Sequence, residues 1–164
     1  MFTQLVEVSS GEVCTADASL KQHVAAKQTV LFFAVINDAA GGMTGYVDCF
    51  QLGVSEGDEI IVSHLEHHAN IVPWYQLTKK TGAKLRVIPV DDTGQIILEE
   101  LPKLINERTK LLSITQVSNA LGTVTPVAEV IKIAHAKGVR VLVDGAQSVS
   151  HIPTDVQALD ADFF

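Results

Sequence analysis

The stretch Val139-Arg140-Val141-Leu142-Val143-Asp144-Gly145-Ala146-Gln147 decides how this chain is read. Its β-branched, nearly continuous apolar run has the pattern of an interior strand of a parallel sheet, which is covered on both faces. The carboxyl end of such a strand is where α/β proteins place ligands, and Asp144 stands at that end. Gly145 and Ala146 leave room for a flat group to approach the backbone, and Gln147 offers an amide one short turn further on. A carboxylate held there can keep a heteroaromatic nitrogen protonated. The alternative is an aspartate that caps the next helix.

Upstream of that strand, from Gly57 onward, strand-like and helix-like segments alternate with short turns. Glu59 to Ser63 predicts a strand, Ala69 to Thr81 a helix ending at Gly82, and Lys84 to Val90 a second strand. Asp91-Asp92-Thr93-Gly94 reads as a turn. After it, Leu98, Leu101, Leu104 and Ile105 recur at helical spacing, with Pro102 tolerable in the first turn. Leu111 to Val117 predicts a third strand. Thr125-Pro126 opens the best-defined helix, with Thr125 as N-cap and proline at the first helical position; Val127, Val130, Ile131 and Ala134 form its apolar face and Gly138 ends it. Such repeated units predict a three-layer α/β fold, a mostly parallel sheet flanked by helices and joined by right-handed crossovers. All the strand ends then share one rim.

Composition narrows the function classes. With 164 residues, 47% of them hydrophobic, the chain has one domain's length and enough apolar content for a core. Twelve Lys and Arg against nineteen Asp and Glu give a formal charge of -7, and no basic run interleaved with aromatics occurs, which argues against a nucleic-acid partner. Cys14 and Cys49 are far apart and in no metal-type spacing, which fits a reducing compartment. The most apolar stretch, Thr29 to Ile36, is too short to span a bilayer, and the amino terminus lacks the pattern of a secretory signal, so the expected location is the cytoplasm, with no membrane partner.

The shared rim collects polar residues that are distant in sequence: His67 and His68 after the first strand, Ser118 and Asn119 after the third, Asp144 and Gln147 after the fourth. Singly, each has a plain explanation as a cap or turn residue; together they place an imidazole, amides and a carboxylate on one edge. Gly41-Gly42-Met43-Thr44-Gly45 follows the apolar run Val30 to Ile36 and can present backbone N–H groups to a phosphate, although it matches neither the dinucleotide fingerprint nor the Walker pattern. His64-Leu65-Glu66-His67-His68 has no zinc-site spacing and no further ligand nearby, so no metal is expected.

Five stretches carry a resemblance to a known family: Gly57-Asp58-Glu59-Ile60-Ile61; Glu66-His67-His68-Ala69-Asn70-Ile71-Val72-Pro73-Trp74; Val117-Ser118-Asn119 with Leu121-Gly122-Thr123; Val143-Asp144-Gly145-Ala146-Gln147; and Asp155-Val156-Gln157-Ala158-Leu159-Asp160. On these the chain resembles the cysteine desulfurases of the sulfur-mobilising type, in the class V aminotransferase group of fold-type I pyridoxal phosphate enzymes. The resemblance implies that residues 57–164 are part of the large, cofactor-binding domain. It implies a reaction that takes sulfur from L-cysteine, leaves alanine and passes the sulfur to an acceptor protein for iron–sulfur cluster assembly, in a homodimeric enzyme. It further implies that His67 stacks on the pyridoxal phosphate ring and relays protons, that Asp144 pairs with the pyridine nitrogen, that Gln147 bonds the phenolic oxygen, and that Asn119 lies beside the ring and the substrate carboxylate.

The departures from the family pattern are specific. Its Schiff-base lysine belongs to a Ser-Gly-His-Lys motif shortly after the strand that begins at Asp162, whereas this sequence runs to Phe164; Lys110 and Lys137 follow no suitable strand, and Cys14 and Cys49 do not inherit the mobile catalytic cysteine. Residues 1–56 diverge: where a Gly-Thr-Thr turn should hold the cofactor phosphate, Asn37 to Gly45 reads Asn-Asp-Ala-Ala-Gly-Gly-Met-Thr-Gly. Gln116 stands where relatives often carry histidine. The expectation is therefore a desulfurase fragment that is inactive as an isolated chain and binds the cofactor weakly or not at all. The alternatives are a noncatalytic α/β binding or assembly module, or a relative acting on selenocysteine.

Overall fold

The computed structural model describes residues 53–164, together with two short strands, β1 (Ile36–Asn37) and β2 (Met43–Thr44). These two pair antiparallel, Ile36 opposite Thr44 and Asn37 opposite Met43. The expectations for Cys14, Cys49 and the phosphate-holding glycine turn lie outside the described residues.

A four-stranded parallel sheet in the order β4-β3-β5-β6 organises the rest, built from β3 (Glu59–Ser63), β4 (Lys84–Ile88), β5 (Thr109–Thr115) and β6 (Arg140–Asp144). Strict alternation of side chains sends successive residues of each strand to opposite faces. Ile61, Leu112, Ile114, Val141 and Val143 meet Leu101, Val130, Ile131 and Ala134 on one face. Ile60, Val62, Leu111 and Leu142 meet Trp74 and Leu77 on the other. Helix α1 (Val72–Thr81) therefore covers one face, while α2 (Leu101–Leu104) and α3 (Val127–His135) cover the opposite one. This is the three-layer arrangement expected of strands that are apolar on both sides. A last short helix, α4 (Val156–Leu159), is capped by Asp155, whose carboxylate accepts the Gln157 and Ala158 amides. Phe163 then bridges Leu142 in parallel on the outer side of β6.

Local differences from the sequence reading have physical causes. The helix expected over 69–81 divides into a 3-10 turn (His68–Asn70) and α1, with Ile71 between them at φ -116°. Pro73 lacks the N–H that a continuous helix would donate to the Ala69 carbonyl, and the Asn70 side chain is drawn into the interior. Strand β5 is shifted two residues toward the amino terminus of its expected span, because Val117 pairs with Val124 in an antiparallel hairpin instead. Thr125 does not cap α3. Pro126 occupies that position without a side-chain bond, and the buried Thr125 hydroxyl donates to the Thr115 and Gln116 carbonyls, tying the hairpin back to the end of β5. The periodicity over 98–105 yields a 3-10 turn (Leu98–Glu100) followed by the single turn of α2. The turn at 91–94 forms as expected, with Gly94 at φ 80° and Asp91 accepting from Thr93 and Gln95.

Candidate functional site at the carboxyl ends of the strands

Asp144 is the last residue of β6 and stands opposite Thr115 of β5. The Asp144 carbonyl accepts the Gln116 N–H at 2.9 Å, so the two strand ends are locked in register. Its side chain is half-buried; Oδ1 accepts the Ala146 N–H at 2.9 Å, and Oδ2 has no partner among the described residues. The residues that follow form turns over 146–151 rather than a helix, so the carboxylate orders a tight turn through one of its two oxygens.

Gln147 is exposed in that turn, where its carbonyl lies 2.6 Å from His151 Nδ1. The space over Gly145, read from sequence as room for a flat ligand, is filled by the chain itself: a Cβ there would come within 2.2 Å of the Phe164 ring. Asn119 is exposed at the tip of the 117–124 hairpin, above a buried Ser118 whose hydroxyl accepts from the Ala120 and Leu121 amides.

His67 caps the 3-10 turn with extended backbone (φ -67°, ψ 153°), and its Nδ1 accepts the Ala69 N–H at 3.1 Å. A ring nitrogen that accepts an amide proton carries none, so this partner assigns the neutral ring's proton to Nε2. The imidazole is exposed, with the His68 ring 6.0 Å away. His67 follows β3 and Asp144 ends β6; β5 alone separates those strands, so their ends lie two strand spacings, about 10 Å, apart.

Sequence reasoning missed the buried group between them. Glu66 is 8% exposed and accepts from the Ser63 hydroxyl (2.5 Å), the Asn70 amide (2.6 Å) and the Thr115 N–H (3.0 Å). Asn70 Oδ1 in turn accepts from the Ser113 hydroxyl (2.6 Å) and the Trp74 indole (3.1 Å). Burial pushes the Glu66 carboxyl up to about 7 despite those three donors, and the charge of Asp144 adds a smaller push in the same direction. The available signal was a carboxylate and an amide at i, i+4 on either side of His67-His68-Ala69; nothing in the sequence showed that both point inward.

Together these groups suit the ring half of a pyridoxal-type cofactor: a carboxylate oxygen open to a protonated ring nitrogen, the exposed amides of Asn119 and Gln147, and an exposed imidazole that presents a face and its Nε2 edge. Among the described residues no group of three or more His, Cys, Asp or Glu is placed to hold a metal, and no helix is long and apolar enough to cross a membrane.

Fold and rim define a three-layer α/β domain whose candidate site lies at the carboxyl ends of its strands. Residues 23–164 match the aminotransferase class-V family, and the chain belongs to that family. A cysteine desulfurase of Synechococcus elongatus is 64% identical over 111 residues, covering 68% of this chain and 18% of that protein. The crystal structure of the cysteine desulfurase CsdA from Escherichia coli superposes with a TM-score of 0.64 at 44% identity, over 66% of this chain and 27% of that one. C-DES with glycine covalently linked to its pyridoxal phosphate cofactor superposes with a TM-score of 0.60 at 29% identity, over 65% of this chain and 29% of that one. The chain therefore spans 18% to 27% of the length of these desulfurase relatives and corresponds to a segment of them.

Proposed function

We propose that residues 57–164 are part of the cofactor-binding domain of a pyridoxal phosphate-dependent cysteine desulfurase. The whole enzyme, a cytoplasmic homodimer, takes sulfur from L-cysteine, leaves L-alanine and passes the sulfur to an acceptor protein for iron–sulfur cluster assembly. The observation that carries this reading is the open Oδ2 of Asp144 at the end of β6, in a chain 64% identical over 111 residues to a cysteine desulfurase.

Bound there, pyridoxal phosphate supplies an electron sink for the substrate's α-carbon. Asp144 holds a proton on the ring nitrogen. Gln147 would offer its amide to the phenolic oxygen, and Asn119 would serve the ring edge and the substrate carboxylate. His67 supplies a stacking face and a hydrogen bond from Nε2. The Ala69 N–H occupies Nδ1, so the ring offers a ligand its face and its Nε2 edge.

Titrating pyridoxal 5′-phosphate into the isotopically labelled chain tests the assignment. The expected result is selective perturbation of the His67 ring and of the Asp144 and Ala146 amides, with affinity reduced about tenfold or more in Asp144→Ala. Perturbation spread elsewhere, with these three positions silent, overturns it.

A further inference from the structure

The roles assigned above leave the most buried ionisable group at the rim without a function. Strand β3 last pairs with β5 at Ile61 opposite Leu112, yet β5 continues to Thr115, still paired with β6. The Gln116 N–H points to β6, where it meets the Asp144 carbonyl. Because backbone N–H groups alternate in direction along a strand, the Thr115 N–H points to the side that β3 has already left. Glu66 Oε1 takes it at 3.0 Å, so a side chain completes the ladder where the backbone no longer does.

The same carboxylate reaches across His67. Its Oε2 accepts the Asn70 amide at 2.6 Å, the Asn70 N–H donates to the His67 carbonyl at 2.8 Å, and the Ala69 N–H holds the ring at Nδ1. Asn70 cannot turn its amide round, because Oδ1 is fixed by Ser113 and Trp74. The 66–70 segment is closed into a small ring of hydrogen bonds with His67 at its outer edge, and Thr115, directly opposite Asp144, is its anchor.

We propose that Glu66 is a positioning residue: by bonding Thr115 and Asn70 at once, it fixes the imidazole of His67 relative to Asp144. The proposal rests on the reading that His67 lies over the cofactor ring, and it deepens that reading.

Glu66→Gln tests it at pH 8. Glutamine can keep the Ser63 and Thr115 bonds, but its NH2 then faces the NH2 of Asn70. Nitrogen-15 spectra of the His67 ring and hydrogen exchange at the Ala69 amide report the result. In the natural sequence His67 shows a single Nε2–H tautomer and Ala69 is protected. In Glu66→Gln both tautomers appear and Ala69 exchanges about tenfold faster, whereas Val130 and Ile131 in α3 keep their protection. Adding Asn70→Asp, whose carboxylate accepts from the new amide, restores the single tautomer and the Ala69 protection. An unchanged His67 in Glu66→Gln overturns the proposal, as does equal loss of protection at Val130 and Ile131, the mark of a merely structural role. Should Glu66→Gln fail to fold, Ser63→Ala removes one donor from the same carboxylate and gives the same changes, about threefold at Ala69. Pyridoxal 5′-phosphate added to the natural sequence separates the two readings: if it leaves His67 unperturbed the functional assignment falls, while the tautomer and exchange results stand by themselves.

Discussion

The two faces of the central sheet are built on opposite principles. Under α2 and α3, Leu112, Ile114, Val130, Ile131, Val141 and Val143 pack into one buried apolar cluster. Under α1, the core that begins with Ile60, Val62, Leu111 and Trp74 turns polar toward the rim, where Ser113, Asn70, Glu66 and Ser63 form one buried network. Apolar contacts have no preferred direction, so the first face tolerates small shifts and supplies cohesion. Hydrogen bonds fix distances and angles, and a buried donor or acceptor without a partner is costly, so the second face holds a loop in one place. The ligand rim lies where that polar face ends.

The largest effect should come from removing the hub of the network. Asn70→Ala takes the partner from Glu66 Oε2 and from the Ser113 hydroxyl, and at roughly 1 to 3 kcal/mol per buried orphan the expected loss is about 4 kcal/mol in urea denaturation. A loss below 1 kcal/mol would show that water or repacking satisfies those groups, and the contrast between the faces would dissolve.

The next effect is a pH dependence peculiar to the α1 face. Glu66 has its carboxyl raised from 4.5 to about 7, so the folded state binds its proton more tightly than the unfolded state does. The stabilisation is full below pH 4.5 and is lost as pH rises through 7, amounting to roughly 3 kcal/mol. Unfolding measured from pH 4.5 to 8 should show this decline in the natural sequence and a flatter profile in Glu66→Gln. Identical slopes in both would place the titration elsewhere.

On the apolar face, Ile114→Val should cost about 1 kcal/mol and leave the His67 tautomer and the pH profile untouched. The smallest change in stability is expected for Asp144→Asn, within about 0.5 kcal/mol, because the half-buried side chain retains an oxygen for the Ala146 N–H. Its effect should fall on cofactor affinity alone; a large loss of stability would instead make Asp144 part of the scaffold.

Much of the architecture was legible in the chain. Strands such as Glu59–Ser63 and Arg140–Asp144 announce themselves because burial on both faces demands continuous apolar runs, and Gly82 and Gly138 mark helix ends by adopting the positive φ that a side chain resists. Thr125 was misjudged because an N-cap and a buried hydroxyl donating to strand carbonyls are the same residue in sequence, distinguished only by what lies opposite. Gly145 was read as room for a flat ligand, and that reading failed because the Phe164 ring, distant in sequence, packs into the space.

The sequence by itself determined the period, the parallel α/β class and the order in which His67, Asn119, Asp144 and Gln147 arrive at the strand ends, because alternation and glycine placement are local properties of the chain. Only the tertiary structure decided that Glu66 points inward, that its carboxylate takes over the Thr115 N–H where β3 leaves the sheet, and that His67 carries its proton on Nε2. Each of these depends on hydrogen bonds whose partners are chosen by which backbone groups remain unpaired after the strands have docked. That is settled in space rather than along the chain.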